Sequence, residues 1–331
     1  MSNIPVPVAT SRVEQHRSSV KHLQVNLFGA VMGLAGLSLA WRGAHRVFGA
    51  PMAVGDAIGI VAIVTFLVLA SGYLLKCWCY PAVVKAEFEH PVAGNFFGTI
   101  AISLLLLSAV LGAYSASLGI AVWVAGSAAT LALSFVVVGR LLRGKGDAAH
   151  AVPAWLIPGV ATLDIAVTGA HMPMAWAGEL VLFSAAIGSV LALVMFTMIG
   201  SRLIHHEPLA GAMTPSLMIL VAPFEVGFLA YVNVSGGVDR FAALLFYFGL
   251  FLFLVLAPKV FRRGIAFGPT WWAVSFPLAA LATAALKYAS VHPAMPLDLL
   301  AAALLAFLTA VLLVLTVRTL HSLFNGRLLT A

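Results

Sequence analysis

The chain has 331 residues, of which 62% are hydrophobic and only 9% charged, and its formal net charge is +7. Soluble globular chains carry about 25% charged and roughly 45–50% apolar residues. With a mean hydropathy of +1.07, the composition excludes a disordered, collagen-like, coiled-coil or disulfide-framework chain. It describes a polytopic membrane protein with little mass outside the bilayer, which argues against soluble-enzyme chemistry and nucleic-acid binding. The excess of positive charge then reads as topology.

A hydrocarbon core of about 30 Å needs roughly 20 apolar residues per helix. That length selects ten spans, over 25–42, 57–79, 95–114, 119–139, 155–170, 176–199, 213–233, 241–261, 267–288 and 297–319. Their apolar runs are continuous, where barrel strands would alternate, so an all-α fold is expected. Residues 1–24, with Pro5, Pro7, Ser11, Ser18 and Ser19, read as a polar tail lacking the apolar core of a cleaved signal peptide. Residues 320–331 read as a second tail and 25–319 as the membrane domain. Of the 18 basic residues, all but Arg42, Arg46, Arg240 and Lys287 fall on the face that holds the N-terminus. Positive loops stay inside, so both termini are expected in the cytoplasm and the protein in the cytoplasmic (inner) membrane.

In chain order, the first span carries Gly29, Gly33 and Gly36, and the second ends in Lys76-Cys77-Trp78-Cys79. A reducing compartment and the absence of clustered histidines leave those thiols without an expected disulfide or metal. Related linkers precede the later odd spans: Glu89-His90-Pro91, His150-Ala151-Val152-Pro153, His206-Glu207-Pro208 and Gly268-Pro269. The odd spans begin near 25, 95, 155, 213 and 267, a spacing of about 60 residues. That period predicts five copies of one helical hairpin.

The two helices of each hairpin differ in kind. Odd spans hold helix disturbers: Pro158 and Gly159 in the fifth, Pro215, Pro223 and Gly227 in the seventh, Pro277 in the ninth. Even spans such as the eighth (Phe246, Phe248, Phe251, Phe253) are bulky and lipid-like. Irregular backbone survives in a bilayer only inside protein or against a wet cavity. The odd spans are therefore expected as an inner ring of quasi-fivefold arrangement around a pore, with the even spans outside. Pro158, Pro215, Pro223 and Pro277 would supply bends, and Gly29, Gly33, Gly159 and Gly227 are the pore-lining candidates. Small residues also serve ordinary helix packing in membranes.

Ionisable residues inside spans are costly and point to function by default. Asp164 in the fifth span and Glu225 in the seventh stand out as candidate proton or coupling sites. Each also fits a buried carboxylate bonded locally, for instance to Thr162 or Thr168. No span interior holds an arginine on this reading. The stretch Trp271-Trp272-Ala273-Val274-Ser275-Phe276-Pro277 places a phenyl group beside a bend. A Phe in a pore acts as a hydrophobic plug, although most of the 21 Phe must face lipid or packing.

Several of these segments resemble one family. They are Phe28-Gly29-Ala30-Val31-Met32-Gly33-Leu34-Ala35-Gly36-Leu37-Ser38-Leu39-Ala40-Trp41, Lys85-Ala86-Glu87-Phe88-Glu89-His90-Pro91, Leu220-Val221-Ala222-Pro223, and above all Trp272 to Ala280. In this order they resemble the tellurite-resistance/dicarboxylate transporters, which include TehA-like bacterial proteins and the slow-type anion channels of plant guard cells. The resemblance implies a homotrimer of ten-helix protomers, each with a pore ringed by its odd helices and occluded by Phe276. It also implies anions as substrates. Val31 stands where some bacterial relatives have proline. The expected function is an anion channel for small monovalent anions such as chloride and nitrate. The alternative is a proton-coupled carrier of C4-dicarboxylates such as malate, or of oxyanions such as tellurite. No enzyme activity, cofactor, metal or nucleic-acid partner is expected; the partners are small inorganic or carboxylate anions and lipid.

Overall fold

Burial divides the spans into two sets. In the computed structural model, which describes residues 19–144 and 148–329, the apolar stretches of the first, third, seventh and ninth spans are 67–89% buried, and those of the even spans only 17–33%. The tail up to Ser18, Lys145 and the last two residues lie outside the described residues. Nine of the described helices are long and apolar enough to cross a membrane, and Pro153–Gly169 is a shorter apolar helix in the fifth position. No strand occurs among the described residues.

Each inner span begins as a 3₁₀ stretch and continues as an α-helix. Val25–Phe28 leads into α1 (Gly29–Phe48), which is followed by outer α2 (Met52–Cys79) and a short linking α3 (Pro81–Glu89). Ala93–Phe97 leads into α4 (Gly98–Gly112), paired with α5 (Ala116–Leu142); Pro153–Trp155 leads into α6 (Leu156–Gly169), paired with α7 (Ala177–His205). Gly211–Val221 leads into α8 (Ala222–Ser235), paired with α9 (Arg240–Val260); Pro269–Val274 leads into α10 (Ser275–Val291), paired with α11 (Met295–Phe324).

The inner helices touch in the cyclic order α1, α4, α6, α8, α10 and back to α1. Their 3₁₀ starts form a second closed ring in the same order, so the five inner segments run parallel. The Ser19 amide donates to the Leu329 carbonyl at 3.2 Å, which puts both ends of the described chain on the face of that ring.

Small residues set the ring's tightest seam. A Cβ on Gly33 would lie 2.5 Å from the Ser275 Cβ, and one on Gly36 2.6 Å from the Ala279 Cβ. The Ser275 hydroxyl donates to the Gly29 carbonyl at 3.0 Å across this contact. Close backbone approach through small residues gives packing that lipid cannot compete with.

The first helix corrects one expectation. It runs past 42 to Phe48, where Gly49 in the left-handed region (φ 68°) ends it. Arg42 is thereby an interior arginine, 5% exposed. Its guanidinium meets Asp56 of α2 at 2.8 Å and also donates to the Val110 carbonyl and the Tyr114 hydroxyl, tying α1 and α2 to the end of α4. Burial is tolerated because nearly every donor is used.

A second ion pair, its lysine buried and its carboxylate partly buried, sits at the opposite end. Lys76 meets Glu87 of α3 at 2.5 Å and donates to the Leu23 carbonyl at 2.7 Å, while Glu87 also accepts from the Val25 amide and the Tyr73 hydroxyl. This network fixes the start of the first inner span. Lys76→Met should strand the Glu87 carboxylate and cost about 3–5 kcal/mol, read as a lowered Tm of the detergent-solubilised protein. Adding Glu87→Gln should restore much of it, since the amide oxygen can still accept from the Val25 N–H and the amide NH2 can donate to the Tyr73 hydroxyl oxygen. A single variant as stable as the parent would show that the pair holds nothing.

Candidate functional site

The prolines predicted to bend the inner spans stand at the change from 3₁₀ to α geometry. Pro158 and Pro277 are third residues of α6 and α10, and Pro223 is second in α8. Proline costs nothing in a first turn, where the N–H it lacks would be unpaired. Pro215 lies within the 3₁₀ stretch itself. In α1 and α4 a glycine, Gly29 or Gly98, takes the first α position instead. A proline-directed kink inside a continuous α-helix is thus replaced by a junction between two helix types.

The junctions converge on one cavity of about 30 Å³, room for little more than one water molecule. All five inner segments line it, through Gly29, Thr99, Leu156, Ala222 and Phe276 among others. Phe276, 8% exposed, shares the wall with Pro277 and Trp272. No charged side chain lines it. Its polar lining comes from Asn26 and Thr99. The Thr99 hydroxyl is spent on the Phe96 carbonyl at 2.6 Å, whereas the buried Asn26 Oδ1 has no hydrogen-bond partner. Unpartnered buried polar atoms are rare, and this one belongs to a side chain on the axis.

The structure spreads the other sequence candidates. Gly29 borders the cavity, but Gly33 lies in the α1–α10 seam, and a Cβ on Gly159 would come within 3.0 Å of the Met195 sulfur on α7. Pro223 and Gly227 line a groove shared with α7 and α9, beside Phe224 and Leu245. Asp164 and Glu225 are buried, 1% and 0% exposed, and neither lines the cavity. Glu225 presses on Gly249 of outer α9, where a Cβ would have no room, and neither of its carboxyl oxygens has a partner. The Thr162 and Thr168 hydroxyls go to the Gly159 and Asp164 backbone carbonyls, the usual retreat of a hydroxyl inside a helix. Neither bonds the Asp164 side chain, contrary to the local pairing the sequence suggested. No group of three or more His, Cys, Asp or Glu suited to a metal occurs among the described residues, and Cys77 and Cys79 are free thiols. Asn26 is the residue that sequence reasoning missed; its signal was an amide at the entry of an otherwise apolar span.

Residues 22–320 match the model of the SLAC1 family, voltage-dependent anion channels. The chain belongs to the SLAC1 family. It is 26% identical over 309 residues to the S-type anion channel SLAH3 of Arabidopsis thaliana, covering 91% of this chain and 48% of that protein. A tellurite resistance protein TehA homolog of Haemophilus influenzae is 29% identical over 279 residues, covering 80% of this chain and 81% of the relative. An uncharacterized transporter of Methanocaldococcus jannaschii is 26% identical over 285 residues, with 79% and 83% covered. The chain spans about half the length of SLAH3 and of its plant relative SLAH2. The SLAC1 match runs across all five hairpins, so the cavity lies wholly within the part shared with the family.

Proposed function

We propose that the chain is an anion channel of the cytoplasmic membrane, with both ends in the cytoplasm, that passes chloride and nitrate along the axis of its inner ring. Phe276 is its gate. The observation that carries this reading is the axial cavity, lined by all five inner segments and by no charged side chain.

Three physical features support it. Five parallel inner segments gather their N-terminal ends at one mouth, and each helix N-terminus carries a partial positive charge of roughly +0.5 e. That field attracts anions without a basic side chain to trap them, and weak binding is what conduction requires. The one unsatisfied polar side chain on the axis, Asn26, offers an amide that presents N–H to an anion once turned about its last torsion. Lastly, Asp164 and Glu225 lie off the cavity, where a carboxylate would oppose anions.

Purified protein in a planar bilayer under a potassium chloride gradient should give ohmic steps reversing toward the chloride potential. Replacing chloride by gluconate should abolish the current, and nitrate should sustain it. Reversal at the potassium potential would overturn the reading, as would slow malate uptake driven by pH without ohmic steps.

A further inference from the structure

The linker between α9 and α10 and the stretch of α11 from Phe307 to Arg318 enclose a groove of about 480 Å³. It lies on the face of the chain ends, because the Pro269–Val274 stretch that follows the linker packs on Val25–Phe28. Its floor is aromatic and fixed. Phe261 meets Phe307 edge-on with ring centres 5.3 Å apart and lies 6.1 Å from Trp271. The Trp271 indole donates to the Ala266 carbonyl at 2.9 Å, which pins the linker. Its long wall is apolar, built by Ala310, Val311 and Val314 of α11.

The rim has the opposite character. Arg262, Arg263 and Arg318 all border the groove, and no Asp or Glu does. None of the three takes part in an ion pair among the described residues, and Arg318 rests 5.7 Å over the Phe267 ring. Three uncompensated guanidinium groups thus crown an apolar trough that runs down a membrane-facing helix. Guanidinium matches phosphate with paired hydrogen bonds, and basic pockets between membrane helices suit anionic headgroups.

We propose that this groove binds an anionic phospholipid of the adjoining leaflet, its phosphate on the three arginines and one acyl chain along α11. A free phosphate matches the rim but leaves the apolar wall bare, and a neutral lipid leaves the arginines without a counter-charge.

The test is native mass spectrometry of the full chain in mild detergent, titrated with phosphatidylglycerol or with phosphatidylcholine of the same acyl chains. Phosphatidylglycerol should bind to saturation at concentrations where phosphatidylcholine does not. Each juxtamembrane arginine is worth roughly fivefold, so Arg318→Gln should weaken binding about fivefold. The triple variant Arg262→Gln/Arg263→Gln/Arg318→Gln should weaken it on the order of a hundredfold. Arg46→Gln, exposed on the opposite face, should leave it unchanged. Equal binding of the two lipids, or an unaltered triple variant, would overturn the proposal. Displacement of the lipid by glycerol phosphate at equal concentration would make a soluble phosphate the occupant. Loss of oligomeric mass in the triple variant, with no lipid on the parent, would make the occupant a second copy of the chain.

Discussion

Phe276→Ala should raise the chloride current per protein by tenfold or more at unchanged expression. The cavity beside Phe276 has about 30 Å³ of free space, too little for a hydrated anion. An ion forced past the ring must shed water and finds mostly carbon in exchange, a cost of several kcal/mol where little compensates. Each 1.4 kcal/mol removed from that barrier is a factor of ten in rate, so partial relief suffices for the predicted rise. Truncation to alanine removes the plug, adds no charge, and leaves Pro277 and the junction in place. On the gate reading, the ring of the parent must rotate aside, at a cost on the order of 1 kcal/mol for a modest departure from its rotamer, plus its packing against the wall. Phe251→Ala on α9, where the ring is 56% exposed toward lipid, is the control and should change nothing. Equal currents from parent and Phe276→Ala would remove the gate.

The reach of the sequence follows from what kind of information each feature needs. Ten apolar runs and their period need only hydropathy, and the division into inner and outer helices followed from where proline and glycine sit. Burial agrees with that division for the spans that can be compared. Details that depend on helical phase were not legible. Gly29 and Gly33 are one turn apart on α1, yet one borders the cavity and the other fills the α1–α10 seam. Arg42 with Asp56, and Lys76 with Glu87, pair across turns between elements, and no periodicity within a helix predicts such contacts. Asp164 and Glu225 drew attention as rare intramembrane carboxylates, but rarity does not tell which way a side chain points. Glu225 turns to Gly249 of an outer helix, away from the axis that its helix lines through Ala222.

The largest loss is expected from one added charge on that axis. In the Phe276→Ala background, where the parent current is high, Asn26→Asp should reduce chloride conduction by roughly a thousandfold at neutral pH. A carboxylate and a passing anion about 4 Å apart repel by roughly 4 kcal/mol at an effective dielectric near 20, and that energy corresponds to about three decades. The substitution keeps the size and shape of the side chain, so steric change cannot account for the loss. Asn26→Leu separates the two properties of the amide, since it removes the polar group without adding charge. Its current should fall by about tenfold, the worth of one hydrogen bond to a charged group. Acidification supplies the internal check: protonating the introduced carboxyl removes the repulsion, so the current of Asn26→Asp should recover as pH falls while that of Asn26→Leu stays level. Should Asn26→Asp/Phe276→Ala conduct chloride as well as Phe276→Ala alone at neutral pH, the anion does not pass Asn26. The conducting path would then have to lie outside the five-helix axis, even with the channel activity itself intact.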